Sequence, residues 1–265
     1  MTTPRTIAAL ASAGCLLAAC GQAPDTDASS DTASSETATN AQEPAVSQAS
    51  QTTLASQIAD YRKDFSGRAP QEVQELFQER INDLAASGII DAATGVGDAA
   101  PGFTLPNAAG EQVSLASLLE RGPVVVTWYR GGWCPYCNLT LRAYQDRLAE
   151  FEAAGATFVA ISPETPDNSL STSEKNELSF QVLSDVGNAV AREYGLVFKL
   201  PGDLAQVYQD FNIDLAAYNG DGSNELPLAA TYVIQPDGTV AWAFLSADYR
   251  ERAEPAEVLE AVRGL

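Results

Sequence analysis

A run of branched apolar residues that leads straight into a Cys-x-x-Cys pair is the feature that most limits what this chain can fold into. Val124–Trp128 is typical of a strand buried on both faces, and an apolar stripe from Cys134 to about Ala153 predicts a helix. Residues 157–162 (TFVAIS) are a second run of the buried-strand type. A buried strand, a helix and another buried strand in succession predict an α/β fold with helices on both faces of a central sheet.

Further elements are predicted on both sides of this unit. Residues 230–244 (ATYVIQPDGTVAWAF) indicate two strands joined by a Pro-Asp-Gly turn, so we expect a mixed sheet. Residues 54–90 carry two apolar stripes at helical spacing, which predict a helical extension docked on the domain. The other predicted elements are a hairpin of Phe103–Leu105 with Gln112–Leu115, a strand at Gln181–Leu183, and helices at Thr172–Leu178, Asn188–Tyr194 and Pro255–Val262.

Composition excludes several functional classes. The chain of 265 residues has a net charge of −20, which argues against nucleic-acid binding because phosphate contacts need clustered lysine and arginine. It contains no histidine, so catalysis of the Ser-His-Asp or Cys-His type is excluded, together with most zinc and copper sites. We therefore expect no metal and no cofactor, and any nucleophile must be activated without an imidazole.

The N-terminus has the features of an export signal. An apolar stretch preceded by one arginine ends in Leu17-Ala18-Ala19-Cys20 and is too short to span a bilayer. These four residues resemble the bacterial lipobox, which implies a lipoprotein signal peptide at 1–19 and a lipid-modified Cys20. Cleavage by an ordinary signal peptidase after Ala19 is the alternative. By resemblance to known sorting rules, Gln22 favours the outer membrane of a cell envelope, with the protein on the periplasmic side.

The segment after Cys20 differs in composition from the rest of the chain. Residues 20–53 consist mainly of Ser, Thr, Ala, Asp, Gln and Pro, with very few large apolar side chains. Such a segment cannot offset the entropy of ordering, so we predict a disordered tether. The helical extension then occupies residues 54–90 and the α/β domain residues 91–265.

The pair formed by Cys134 and Cys137 has three possible roles. A zinc or iron–sulfur site needs about four Cys or His ligands, more than this pair supplies. A purely structural disulfide across so short a loop removes little chain entropy. Two thiols on the first turn of a helix lie within disulfide range, so a redox-active Cys134–Cys137 disulfide is the favoured prediction.

Activation of a thiol needs a positive environment. If Cys134 is the N-cap and Pro135 the first helical residue, the unpaired N–H groups of the first turn and the helix dipole lower the pKa of a nearby thiol. This argument favours Cys134 as the thiol with the lower pKa. Arg130, four residues before Cys134, adds positive charge. The candidate catalytic residues are therefore Cys137, Cys134 and Arg130.

Four segments of the α/β domain together resemble a known family. They are GDAAPGFTLPNAAGEQVSL (97–115), RGPVVVTWYRGGWCPYCN (121–138), TFVAISPETPDN (157–168) and LPLAATYVIQPDGTVAWAF (226–244). They are similar to the peroxiredoxin-like branch of the alkyl hydroperoxide reductase/thiol-specific antioxidant family. The resemblance covers about residues 90–265 and implies a thioredoxin-like fold, a hydroperoxide substrate and a thioredoxin-type reductant.

The resemblance gives two different answers to which of the two sulfurs attacks the substrate. Aligned on Tyr129, Cys137 takes the peroxidatic position of typical peroxiredoxins. Arg130 then replaces their proline and Cys134 their threonine, while the arginine that they carry on a distant strand falls on Ala229. The thioredoxin pattern, in which the first cysteine of the pair attacks, implies Cys134 instead. The attacking sulfur stays open at this point.

Three functions are compatible with the sequence, and the first is favoured. The chain is a thiol peroxidase, a thiol–disulfide oxidoreductase acting on protein disulfides of the envelope, or a redox sensor or interaction domain without enzymatic activity. Asp98 and Glu164 are candidate proton relays, although we interpret both as solvated or capping acids. The oligomeric state is left open.

Overall fold

The computed structural model describes residues 52–265, which build a mixed five-stranded sheet with helices on both faces. The predicted signal peptide at 1–19 and Cys20 lie outside the described residues, as does nearly all of the predicted tether. None of the helices within residues 52–265 is both long and apolar enough to cross a membrane.

The bounds of the elements are as follows. The helices are α1 (Leu54–Arg68), α2 (Gln71–Ala86), α3 (Ile89–Ala92), α4 (Leu115–Leu119), α5 (Pro135–Gln145), α6 (Leu148–Ala153), α7 (Pro166–Lys175), α8 (Ala189–Glu193), α9 (Gly202–Asp210), α10 (Leu215–Asn219) and α11 (Pro255–Arg263). The strands are β1 (Thr104–Pro106), β2 (Gln112–Ser114), β3 (Val124–Trp128), β4 (Thr157–Ser162), β5 (Gln181–Ser184), β6 (Val197–Lys199), β7 (Glu225–Pro227), β8 (Ala229–Ile234) and β9 (Val240–Ser246).

The central sheet has the strand order β5-β4-β3-β8-β9. Strand β3 pairs in parallel with β4 and antiparallel with β8, so that Val126 lies opposite both Val159 and Tyr232. The predicted α/β fold with a mixed sheet is therefore confirmed. The β1–β2 hairpin and the β6–β7 pair form separate two-stranded sheets.

Side chains of β3 alternate between two cores, as the two-residue period of a strand requires. Val125 packs with Phe158 in the core that also receives α1, α5, α6 and α11. Val124 and Val126 face the opposite core, to which the β1–β2 hairpin, α4 and α8 contribute. All five residues of β3 are buried, which explains why its sequence is an unbroken run rather than an alternating one.

The two long helices of the N-terminal extension pack on the domain close to the cysteines. Leu54 and Ile58 of α1 are buried in the core shared with α5. The ring of Tyr61 lies edge-on to Tyr136, with centroids 5.1 Å apart. On α2, Phe77 enters a third apolar cluster with residues of α9 and α10. The apolar stripes of the extension are thus its packing faces.

Some predicted bounds are wrong. The single helix from Cys134 to about Ala153 is two helices, because Arg147 leaves the helical region (φ −114°, ψ 8°) between α5 and α6. The helix predicted at Thr172–Leu178 instead begins at Pro166 and ends at Lys175. No element was predicted for residues 197–227, which contain β6, β7, α9 and α10. These elements have three to nine residues, too few for a periodic pattern to stand out.

Candidate active site

The cysteine loop connects the end of β3 to the start of α5. Cys134 is the N-cap of α5, with extended backbone (φ −89°, ψ 114°), and Pro135 is the first helical residue. The Cys134 carbonyl accepts the first helical hydrogen bond, from the N–H of Asn138 (3.1 Å). The Cys134 sulfur itself accepts no capping hydrogen bond.

Gly132 fixes this loop against its surroundings. Its N–H donates to Glu164 Oε1 (2.9 Å), and its carbonyl accepts from Asn138 Nδ2 (2.9 Å). A Cβ atom at this position would collide with the side chain of Thr172. The loop is therefore held from both sides at a residue where only glycine fits.

Both thiols are buried and free, and each affects the ionisation of the other. The exposed fraction is 1% for Cys134 and 0% for Cys137. Burial, together with donation of its hydrogen to Cys137, raises the pKa of Cys134 well above its ordinary value. Burial acts against ionisation of Cys137 too, but the Cys134 thiol and the charges of Arg252 and Arg130 hold the pKa of Cys137 well below its ordinary value. These opposite directions favour ionisation of Cys137 over Cys134 in the reduced pair.

The prediction that Cys134 has the lower pKa is wrong. The argument from helix capping requires backbone N–H groups directed at the Cys134 sulfur, and no such bond forms. The pKa of Cys137 is lowered instead by the Cys134 thiol, by the charges of Arg252 and Arg130 and by the Arg130 backbone. The two arginine charges favour ionisation of either thiol, so the interaction between the cysteines, rather than the N-cap position, decides which one ionises.

Arg252 is a site residue that the sequence interpretation missed. Its Nη2 lies 3.5 Å from Cys137 Sγ, and it belongs to the segment between β9 and α11. Arg252 is 115 positions from Cys137 and follows no motif, so no sequence signal pointed to it.

Arg130 lies beside the other sulfur of the pair, that of Cys134. Its Nη1 is 3.9 Å from Cys134 Sγ, and its Nη2 donates to the Tyr208 hydroxyl. The guanidinium carbon lies 4.3 Å from the ring centroid of Tyr249 and 5.0 Å from that of Trp133. Arg130 is only 2% exposed, yet among residues 52–265 no carboxylate lies within 4.0 Å of it. Its charge is therefore left to act on the thiols.

The interpretation of Glu164 as a solvated or capping acid is wrong. Glu164 is completely buried just beyond β4. Besides the Gly132 N–H, its carboxylate accepts the hydroxyls of Tyr129 and Thr172, both at 3.2 Å. Burial raises the pKa of Glu164 to about 7, because these hydrogen bonds do not replace all of the lost hydration. A buried acid that titrates near neutrality is thus connected to the cysteine loop through Gly132.

A small cavity leads to Cys134, and Cys137 is not among its lining residues. It has a volume of about 150 Å³ and is lined by Cys134 and by aromatic side chains, including Trp133 and Tyr136. Phe211, another lining residue, is exposed and marks the open side. In the part of the chain that the structure describes, no cluster of three or more Cys, Asp or Glu side chains is arranged to hold a metal ion.

Comparison with known proteins assigns the family. The family model described as AhpC/TSA family matches residues 96–243, more than half of the chain. The chain belongs to the AhpC/TSA family. The matched residues include Arg130, both cysteines and Glu164, whereas Arg252 and helices α1 and α2 lie outside the match.

Individual relatives share only part of their length with this member of the family. The chain is 36% identical over 108 residues to a chloroplastic peroxiredoxin Q of Populus jackii, which is 41% of this chain and 50% of that protein. It is 37% identical over 99 residues to a putative peroxiredoxin of Mycobacterium tuberculosis, or 37% of this chain and 62% of that one. The chain thus spans about half the length of the curated relatives it matches.

A solved structure supports the fold. The crystal structure of a peroxidoxin of Mycobacterium tuberculosis aligns with a TM-score of 0.52 and 23% identity, covering 65% of this chain and 98% of that one. The predicted thioredoxin-like fold is therefore confirmed.

Replacing Arg252 with glutamine is expected to raise the pKa of Cys137 by about one unit or more, because an opposite charge beside the thiolate is lost. The measurement is the pH dependence of thiolate absorbance near 240 nm in the reduced protein, with Cys15 and Cys20 replaced by serine. Arg263→Gln, on α11, is the matched control and should leave the titration unchanged. Equal midpoints for Arg252→Gln and the parent would contradict the assignment of Arg252.

Glu164 should make folding stability depend on pH. Its pKa is higher in the folded state than in the unfolded chain, so its favourable contribution is fully present below about pH 4.5 and is lost as the pH rises through 7. Relative to Glu164→Gln, the unfolding free energy of the parent should fall by about 2 to 3 kcal/mol between pH 5 and pH 8. Urea denaturation of both proteins at the two pH values measures this difference. A difference that does not change with pH would show that Glu164 titrates normally.

Proposed function

We propose that this chain is a thiol peroxidase in which Cys137 attacks the hydroperoxide. The observation that carries the proposal is the buried Cys137 sulfur with Arg252 Nη2 at 3.5 Å, which lowers the pKa of Cys137 while burial raises that of Cys134. A thiolate is the reactive form of cysteine, and this arrangement keeps one ionised at neutral pH without a histidine.

The proposed cycle has three steps. The Cys137 thiolate attacks one oxygen of the hydroperoxide, the O–O bond breaks, and the leaving alkoxide takes up a proton to become an alcohol. Cys137 is left as a sulfenic acid, with which the Cys134 thiol condenses to form a disulfide and release water. A dithiol donor of the thioredoxin type then reduces the disulfide and is itself oxidised.

Arg130 and Arg252 serve the first step twice. Before the reaction they stabilise the thiolate, and as the O–O bond breaks they stabilise negative charge on the departing oxygen. The family resemblance would place an arginine at Ala229, and Ala229 and Arg130 both line a second cavity, of about 220 Å³. Arg130 therefore supplies, from the end of β3, the positive charge that the Ala229 side chain does not provide.

Burial favours a small substrate over a protein disulfide. A hydroperoxide is small enough to enter the 150 Å³ cavity beside Cys134, whereas a folded protein cannot reach sulfurs that are 0% and 1% exposed. The same burial means that the loop around Gly132 must open before a protein dithiol attacks the Cys134–Cys137 disulfide. A role limited to oxidoreduction of envelope proteins has no comparable support.

We also propose that the protein acts while anchored by lipid in the cell envelope, with the outer membrane as the favoured location. The support is the Leu17-Ala18-Ala19-Cys20 sequence and the composition of residues 20–53.

Peroxide consumption coupled to a thioredoxin system should disappear in Cys137→Ser, because the attacking sulfur is gone. Cys134→Ser should still react with one equivalent of peroxide but stop at a sulfenic acid on Cys137, which dimedone traps and mass spectrometry locates. Dimedone labelling of Cys134 in Cys137→Ser, with turnover retained, would reverse the roles of the two cysteines.

Lipid attachment at Cys20 is tested by labelling Gram-negative bacterial cells that express the chain with an alkyne-bearing fatty acid. The parent should incorporate the label and fractionate with membranes, and Cys20→Ala should do neither. Cys15→Ala is the matched control. Release of an unlabelled protein cleaved after Ala19 would support the ordinary signal peptide instead.

A further inference from the structure

A second cavity, of about 220 Å³, also ends at Arg130. Its walls are almost entirely apolar and come from α2, α9 and the segments around β8 and β9. The wall residues that matter here are Phe77, Ile81, Leu84, Leu204, Leu228 and Ala247. An apolar cavity of 150 Å³ is already large enough to bind benzene, so this one has room for a longer hydrocarbon group.

The cavity reaches the surface at one end. Asp83, Ser87 and Lys199 belong to its lining and are exposed, so they mark the entrance. Two cations lie at this entrance. Arg80 is already paired with Asp83 and Asp203, at 2.5 and 2.8 Å, and Lys199 is exposed, so that water screens its charge. An anionic ligand therefore gains little from either.

The inner end of the cavity has the opposite character. There the Arg130 guanidinium is buried, its Nε makes no hydrogen bond, and no carboxylate among residues 52–265 lies within 4.0 Å. A buried cation without an anion is costly, so this end favours a negatively charged group. An apolar channel that ends at a free cation matches a molecule with one hydrocarbon chain and one anionic head.

The state of the cysteines decides how strongly Arg130 needs such an anion. In the reduced protein the Cys137 thiolate supplies negative charge beside it. When the Cys134–Cys137 disulfide forms, that charge is lost and the guanidinium keeps only its contacts with Tyr208 and the aromatic rings.

We propose that the cavity binds single-chain carboxylates of the fatty-acid type, with the chain between α2 and α9 and the carboxylate on Arg130, and that the disulfide form binds them more tightly than the dithiol form. By linkage, such a ligand stabilises the disulfide by the same factor. The redox dependence rests on the proposed dithiol–disulfide cycle, whereas the binding site itself does not. Three of the wall residues belong to α2, outside the residues matched by the family model.

The test measures decanoate binding by calorimetry to the full chain with Cys15 and Cys20 replaced by serine. The disulfide is formed with diamide, which accepts the two electrons and two protons of the dithiol, so that no peroxidase activity is needed. Decanoate should bind the oxidised protein at least fivefold more tightly than the reduced protein. Decanol, without the charge, and butyrate, without the chain, should each bind at least tenfold more weakly than decanoate.

Variants locate the two ends of the ligand. Arg130→Met preserves the bulk of the side chain and should weaken decanoate binding to the oxidised protein at least tenfold. Ala247→Leu narrows the cavity and should do the same while the cysteine pair still forms its disulfide. Arg80→Gln, at the entrance, should bind decanoate as the parent does.

Several outcomes would overturn the proposal. Unchanged decanoate binding in Arg130→Met, or a loss of binding in Arg80→Gln alone, would show that the carboxylate does not bind Arg130. Equal affinities of the two redox forms would contradict the redox coupling but still support the binding site. Absence of binding at millimolar decanoate would contradict the site itself. A pair that forms no disulfide with diamide contradicts the proposed cycle and the coupling together, whereas decanoate binding to the dithiol would still support the site.

Discussion

The site depends on two positive charges held against a pair of buried sulfurs. Arg130 is close to the cysteines in sequence and Arg252 is far from them, and neither pairs with a carboxylate within the described residues. Arg130 is buried and Arg252 is half-buried, so their charges are screened less than at the surface and favour ionisation of a neighbouring cysteine. The Cys134 thiol, which remains protonated, adds a hydrogen bond and fixes Cys137 as the thiolate.

Much of the surrounding structure keeps these charges in place. The Arg130 guanidinium lies among the rings of Trp133, Tyr208 and Tyr249, which come from the cysteine loop, α9 and the segment after β9. Aromatic faces stabilise a cation without neutralising it, whereas a carboxylate in the same place would cancel its effect on the thiols. The domain thus buries the Arg130 guanidinium without neutralising it, so that its charge can act on the thiols.

Glu164 is the buried acid of the site, and its charge depends on pH. It holds Gly132 through a hydrogen bond, but its pKa near 7 means that it carries a full negative charge only above neutral pH. The Cys137 thiolate contributes to this raised pKa, although burial is the larger cause. Ionisation of Cys137 and of Glu164 therefore oppose each other, and Glu164 can keep its proton while the thiolate forms.

The sequence alone determined the elements whose pattern is continuous and local. The unbroken apolar run of β3 and the position of Pro135 after Cys134 predicted a buried strand followed by a helix, and both are present. Four matching segments were enough to indicate the AhpC/TSA family and its fold. The order of strands and helices likewise predicted the mixed sheet. Its central strands were recognisable because a strand buried on both faces consists almost entirely of apolar residues.

Only the tertiary structure decided which sulfur ionises and what surrounds it. Arg252 and Tyr208 are far from the cysteines in sequence, and nothing local marks them as neighbours of the thiols. Glu164 was interpreted as a surface acid because the sequence gives no sign of whether a single acidic residue in a loop is buried. The pKa of a buried group depends on every charge and dipole packed around it, and the chain supplies those from segments that meet only on folding.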